Sequence, residues 1–236
     1  IVNQAANWSH MFGGQASPNL TIRAIINRGG EQGAQHSQAL HAWFAHVPGL
    51  RVVMPSTVAD ARDLLVSSVL CKDPVIFIDD RWLYSQEDYL PPIVETNLLS
   101  LKPKISLRGK DITIVASGHS SLLARNAGKF LKKINIQAEI IDTRILNPLD
   151  IKIILNSVKK TKNLLVVDPG WITGGFSAEI IAKVLEKLPA KTLKNSPMRL
   201  GLPNAPAPTS SVLEKNYFTN TSDIIKAIKK ILKINK

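Results

Sequence analysis

The chain has 236 residues, 44% apolar and 20% charged, the proportions of an ordinary globular protein with room for one large domain or two modest ones, so disordered and collagen-like classes are excluded. No apolar run approaches the roughly 18 residues of a membrane span, and the single cysteine, Cys71, can form neither an internal disulfide nor a cysteine-based zinc cluster, which points to a reducing, cytoplasmic setting. The net charge is +12, but the six basic and six acidic residues up to Leu83 balance, so the whole excess lies beyond that point.

Apolar strand-like runs alternate with longer amphipathic segments, the pattern of an α/β protein with largely parallel sheets. A helix is predicted over Val2–Met11, then a strand (Leu20–Ile26), a polar glycine-rich loop (Asn27–Gln35) and a helix (Ser37–Ala45). A strand at Arg51–Met54, a helix at Ala59–Leu70 and a strand at Val75–Asp79 complete this part; Pro55-Ser56-Thr57 stops the strand and caps the helix, and Pro74 ends the helix. The first element is a helix with no preceding cap, and so few strands make a small sheet with apolar faces uncovered. Either another chain completes it or the sequence begins partway into its domain.

Residues 84–108 read as a linker, because the periodicity fades around Pro91-Pro92. In 109–236 strands are predicted at Asp111–Ala116, Ala138–Asp142, Leu164–Val167 and Met198–Leu200. Helices are predicted at Ser121–Lys133, Asp150–Lys159, Ser177–Leu188 and Ser222–Leu232, the last with Ile224, Ile225, Ile228, Ile231 and Leu232 on one stripe. The lysines of this part recur at helical spacing without interleaved aromatics and read as solvated helix faces rather than a nucleic-acid stripe.

The richest cluster of candidate chemistry is Asn27-Arg28-Gly29-Gly30-Glu31-Gln32-Gly33-Ala34-Gln35-His36-Ser37-Gln38. It leaves a strand at the predicted carboxyl edge of a parallel sheet, where open α/β sheets bind ligands. Ser37 is expected to cap the following helix, placing His36 at a helix N-terminus, where the dipole favours the neutral ring and a general acid–base role; a histidine that only bridges a turn is the alternative. His41 and His46 point to different faces, His10 and His119 stand alone, and no histidine pair has zinc spacing. Asp79-Asp80-Arg81 reads as a strand-end ion pair before a site. The Gly174-Gly175 pair before a helix could hold an anion, allow tight strand–helix packing, or admit a neighbouring subunit. Nucleotide-binding glycine signatures and a G-x-S-x-G elbow are absent from the sequence.

Several segments occur in family order. They are Ile22-Arg23-Ala24-Ile25-Ile26 with Gly33-Ala34-Gln35-His36-Ser37-Gln38; Ala45-His46-Val47-Pro48-Gly49-Leu50-Arg51-Val52-Val53-Met54-Pro55-Ser56; and Asp73-Pro74-Val75-Ile76-Phe77. Asp142-Thr143-Arg144-Ile145-Leu146-Asn147-Pro148-Leu149-Asp150, Gly170-Trp171 with Gly174-Gly175-Phe176-Ser177-Ala178-Glu179-Ile180, and Pro206-Ala207-Pro208-Thr209 with Leu213-Glu214 follow. Together they resemble the β subunit of the decarboxylating component of 2-oxo acid dehydrogenase complexes.

The resemblance implies part of a pyrimidine-type thiamin-diphosphate-binding domain over 1–83 and a transketolase C-terminal-type α/β domain over 109–236. It implies an α2β2 assembly with β–β contact, thiamin diphosphate at the α/β interface with magnesium on the α side, and acyl transfer from a pyruvate-like 2-oxo acid to the lipoyl arm of an acyltransferase component. His36 matches the histidine at the mouth of the substrate channel, whose task would be to protonate the departing lipoyl sulfur. A potassium site would fall at Leu20, Ser68, Val69, Cys71 and Asp73, with Cys71 standing where an acidic residue is usual. The family's coenzyme-activating glutamate lies upstream of the matched region, and its G-D-G…N-N clamp belongs to the α subunit. This chain is therefore expected to be an amino-terminally truncated β subunit, with a non-catalytic docking module and a transketolase or deoxyxylulose-phosphate synthase C-terminal half as alternatives.

Overall fold

A computed structural model describes residues 1–234. Two sheets carry the chain. The first has the order β1 (Thr21–Ile26), β3 (Val75–Asp80), β2 (Arg51–Val53), β7 (Ile145–Asn147), with β1, β3 and β2 parallel and β7 antiparallel. The second has the order β4 (Lys104–Leu107), β6 (Ala138–Asp142), β5 (Ile112–Ala116), β8 (Leu164–Trp171), β9 (Met198–Leu202), parallel except for β4. β5 and β6 are buried at every position, as parallel strands covered on both faces require.

Helices α5 (Gly118–Lys133) and α9 (Thr221–Leu232) cover one face of the second sheet, packing Ala124, Ala127 and Leu131 with Ile224, Ile228 and Ile231. The apolar stripe read from the sequence is the buried face of α9, whose start is fixed by a reciprocal capping box between Asn220 and Asp223. The other face of that sheet, with α6 (Lys152–Thr161) and α7 (Phe176–Lys187), shares one core with the first sheet: Val52, Met54, Ile76 and Ile78 pack with Val115, Ile141, Val166 and Ile180. That continuous core is what fixes the two sheets against each other. Thr57 caps α4 (Val58–Leu70), accepting from the Asp60 amide at 3.2 Å, as the Pro-Ser-Thr punctuation implies.

Four expectations fail. Only α1 (Trp8–Met11) of the opening segment is helical; it has no side-chain cap and buries nothing, so nothing pays the cost of a longer helix. The expected helix over Ser37–Ala45 is two short ones, α2 (Gly33–His36) and α3 (His41–His46), separated at Ser37–Leu40. The linker, mostly exposed through residue 97, then buries Leu98 and Leu101 against the first sheet and ends in the unpredicted strand β4. β7 and α8 (Ser211–Tyr217) arise where none were predicted.

Where the sheets meet, α4 and α5 bring charges together. Arg144 pairs with Asp60 at 2.6 Å, while Arg125 donates to the hydroxyl and carbonyl of Ser56, each at 3.0 Å, and the Ser56 hydroxyl donates to buried Asp142. Burial pushes the Asp142 carboxyl up to about 6, with Asp60 adding to it and Ser56 and Arg125 opposing. The folded protein therefore keeps this proton to a higher pH than an unfolded aspartate, whose ordinary value is 3.8. The resulting stabilisation is full below about pH 4 and lost as pH rises through about 6. Urea midpoints between pH 7.5 and 5 should show a component that rises as pH falls and is absent in Asp142→Asn; an identical slope in both proteins would remove Asp142 from the account.

Candidate active site

β1 and β3 deliver their carboxyl ends side by side, and the glycine loop springs from the end of β1. The loop is closed at its base, the Asn27 amide donating to the His36 carbonyl at 3.0 Å. Arg28, only 4% exposed, turns inward and pairs with Asp80 at 2.7 Å; its guanidinium lies 5.9 Å from the Trp82 ring centroid and 5.5 Å from that of Phe218 and donates to the Pro169 carbonyl at 3.3 Å. Gly29 makes this possible: with φ +72°, it sits where a Cβ would come within 2.4 Å of the Trp82 indole nitrogen. Trp82 also meets His119 edge-on at 5.0 Å. Burial, reinforced by the Arg28 charge, pushes His119 down to about 4, so its ring is neutral at pH 7. Burial likewise raises Asp80 above its ordinary value, against the pull of Arg28.

His36 itself is exposed, as a group that meets an incoming ligand should be. It borders a cavity of about 230 Å³ lined by Ile25, Phe44 and Ile78 with the amide side chains of Asn27, Gln35 and Gln38. Its setting differs from expectation. His36 ends α2 instead of preceding a helix, and Ser37 is the C-terminal cap, its buried hydroxyl without a partner. The dipole argument for a neutral ring therefore has no helix behind it. Among the described residues that line it there is no lysine or arginine.

The potassium positions gather at the opposite end of β1. Leu20 precedes the strand, Ser68 and Val69 close α4, Cys71 caps it and Asp73 leads into β3. Their oxygens are largely engaged: the Ser68 carbonyl accepts from the Thr21 hydroxyl at 2.9 Å and from the Cys71 amide at 3.2 Å, the Leu20 carbonyl from the Val75 amide at 2.8 Å, and Asp73 is held by Arg51 at 2.7 Å. Among the described residues no group of three His, Cys, Asp or Glu side chains is placed to hold a metal.

Asp79 and Asp80 are ion-paired as read, but with Arg23 and Arg28 rather than adjacent Arg81. Of the glycine pair, Gly175 serves packing, since a Cβ there would lie 2.2 Å from the Trp171 carbonyl, while Gly174 has open space around it and takes the left-handed turn at φ +63°. The sequence gives no sign of a second buried pair, His41 with Asp168 at 2.7 Å, which joins α3 to β8. Although burial pushes Asp168 upward, His41 and the amides of Gly170 (3.0 Å) and Ser177 (2.7 Å) hold it below its ordinary value.

Comparison with known proteins follows this division. Residues 2–86 match the transketolase pyrimidine-binding domain and residues 102–224 the transketolase C-terminal domain. The chain is 37% identical to the β subunit of acetoin:2,6-dichlorophenolindophenol oxidoreductase of Cupriavidus necator, over 99% of this chain and 68% of that one. It is 34% identical to the pyruvate dehydrogenase E1 β subunit of Rhizobium meliloti, over 98% of this chain and 50% of that one. To the Bacillus subtilis acetoin:2,6-dichlorophenolindophenol oxidoreductase β subunit it is 34% identical, over 98% and 67%. It thus spans from half to about two thirds of these relatives. A solved structure described as a split gene transketolase, an inactive β4 tetramer, superimposes with a TM-score of 0.72 at 23% identity, over 92% of this chain and 67% of that one.

Proposed function

The chain belongs to the transketolase-type family that includes the β subunits of the pyruvate dehydrogenase E1 component and of acetoin:2,6-dichlorophenolindophenol oxidoreductase, and from that premise we propose that it is the β half of a thiamin-diphosphate-dependent 2-oxo acid dehydrogenase. Its partners in this reading are an α subunit, a second β subunit and the lipoyl-bearing acyltransferase, and its substrate is a pyruvate-like 2-oxo acid. The observation that carries the reading is His36, exposed at the foot of a closed glycine loop beside a small cavity at the carboxyl edge of a parallel sheet.

Bound thiamin diphosphate would supply the carbanion that takes up the 2-oxo acid and releases carbon dioxide. This chain's part is to shape one wall of the pocket with Ile25, Phe44 and Ile78 and to present His36 to the lipoyl arm. As the acyl group joins one sulfur and the S–S bond breaks, the His36 imidazolium gives its proton to the departing sulfur and becomes neutral. In this reading the diphosphate and its magnesium are held by the α subunit.

Calorimetry with thiamin diphosphate tests the reading. The chain with its co-produced α subunit should bind the coenzyme and then consume 2-oxo acid; the chain alone should bind none. Binding by the chain alone overturns the division of labour, and α association without turnover identifies a docking module instead. A potassium ion at Leu20, Ser68, Val69, Cys71 and Asp73 is part of the same proposal. Arg51 engages only Asp73 Oδ2, and coenzyme binding by the α/β complex should be tighter in potassium chloride than in choline chloride; equal affinity removes the ion.

A further inference from the structure

The loop that carries His36 is held at its far end by the other half of the molecule. Glu31, at the tip, has φ +60°, in the left-handed region that residues with side chains seldom adopt. Such a conformation persists where surrounding contacts over-determine it, and here the contacts are reciprocal. The Glu31 amide donates to Glu214 Oε2 at 3.2 Å, and Glu31 Oε1 accepts from the Ser211 amide, the first of α8, at 3.1 Å. Glu214 is itself buried at 5% exposure. Two residues on, a Cβ at Gly33 would lie 2.9 Å from the Thr209 hydroxyl, so the backbone there rests directly on the segment leading into α8. With Arg28 bonded to the Pro169 carbonyl, three points between Asn27 and His36 are fastened to residues more than 130 positions away in the chain.

We propose that Glu31 and Glu214 are positioning residues: their reciprocal clasp locks the tip of the glycine loop to α8 and thereby fixes His36 at the loop's base. The inference rests on the proposed role of His36. Both ends of the closed loop are then constrained, the base by the Asn27–His36 hydrogen bond and the tip by the clasp. Without the clasp, Glu31 has no reason to keep its left-handed backbone, and the loop relaxes about its remaining ties.

Hydrogen exchange on the full chain and acyl transfer by the α/β complex test this together. Glu214→Ala, and separately Glu31→Ala, whose side chain is exposed and whose loss does not threaten folding, should speed exchange of loop amides 28–35 about tenfold while β5 amides keep the wild-type rate. Lipoyl acylation should lose about tenfold in kcat with KM for the 2-oxo acid unchanged, the mark of a displaced group rather than weakened binding. Glu214→Gln, which retains an acceptor oxygen, should restore most of both. If loop exchange stays within about twofold of wild type in both alanine variants, or β5 loosens equally, the clasp is overturned. If the loop loosens but acylation is unaffected while His36→Ala abolishes it, positioning is overturned and the reading of His36 stands. Loosening with acylation lost and regained on Glu214→Gln upholds the proposal.

Discussion

Replacing Arg28 with methionine should destabilise the protein by about 3–5 kcal/mol at neutral pH, the usual cost of leaving one partner of a buried ion pair alone. Arg28 is 4% exposed and Asp80 1%. Asp80 is raised above its ordinary value by burial even with the guanidinium 2.7 Å away. Methionine keeps the volume and leaves the carboxylate uncompensated, so Asp80 would be pushed further up. The folded form then binds a proton that the unfolded chain releases near 3.8. The deficit should thus be smallest near pH 4 and grow as pH rises through the folded value. Equilibrium urea unfolding at several pH values reads this directly, and Arg28→Met with Asp80→Leu should recover most of the loss, because no buried charge remains. A loss under about 1 kcal/mol, typical of exposed pairs, would show the pair to be solvated. The same variant should loosen the whole aromatic junction, since Trp82 packs against both His119 and Phe218.

In the α/β complex, His36→Ala should slow acyl transfer to the lipoyl arm by about 100-fold or more, the lower end of what a positioned general acid contributes. Decarboxylation measured with an artificial acceptor should stay near wild type, because no lipoyl sulfur departs in that assay. Alanine at an exposed position costs little in folding, so a parallel melting curve separates lost chemistry from lost structure. Equal loss in both assays would move His36 into coenzyme activation or substrate binding, and no loss in either would end its role. The two experiments probe one device from opposite ends. Arg28 fastens the start of the loop to Asp80 and the Pro169 carbonyl, and His36 stands where the loop closes.

How much of this was legible depends on how far apart the interacting residues lie. The strands Val75–Asp80, Ile112–Ala116 and Ala138–Asp142 announce themselves as short, mainly β-branched segments, and α9 as a stripe at helical spacing. Thr57 reads as a cap because its partner, the Asp60 amide, is three residues away. β7 is different. Its three residues lie between a left-handed Arg144 and Pro148, and they form a strand only because β2 lies alongside. α8 also escapes notice, with Val212 and Leu213 exposed and Glu214 buried, the reverse of their usual placement. Ser37 starts no helix for a related reason. A serine before an apolar stretch is ordinary helix-start grammar, but Gly33, with φ +67°, lets the chain turn four residues early, and α2 ends where the longer helix was expected to begin.

The sequence by itself determined the α/β class, the main parallel strands of both halves, the long helices α4, α5, α6, α7 and α9, and the glycine loop with its histidine, because each depends on periodicity or turn chemistry within a few residues. Only the tertiary structure decided which charges are buried against which: Arg28 with Asp80, Ser56 with Asp142 across 86 positions, and His41 with Asp168 across 127. Desolvation is set by everything that packs around a group. The same carboxylate is an unremarkable surface charge or a strongly shifted, structure-fixing one according to contacts that no local stretch of residues encodes.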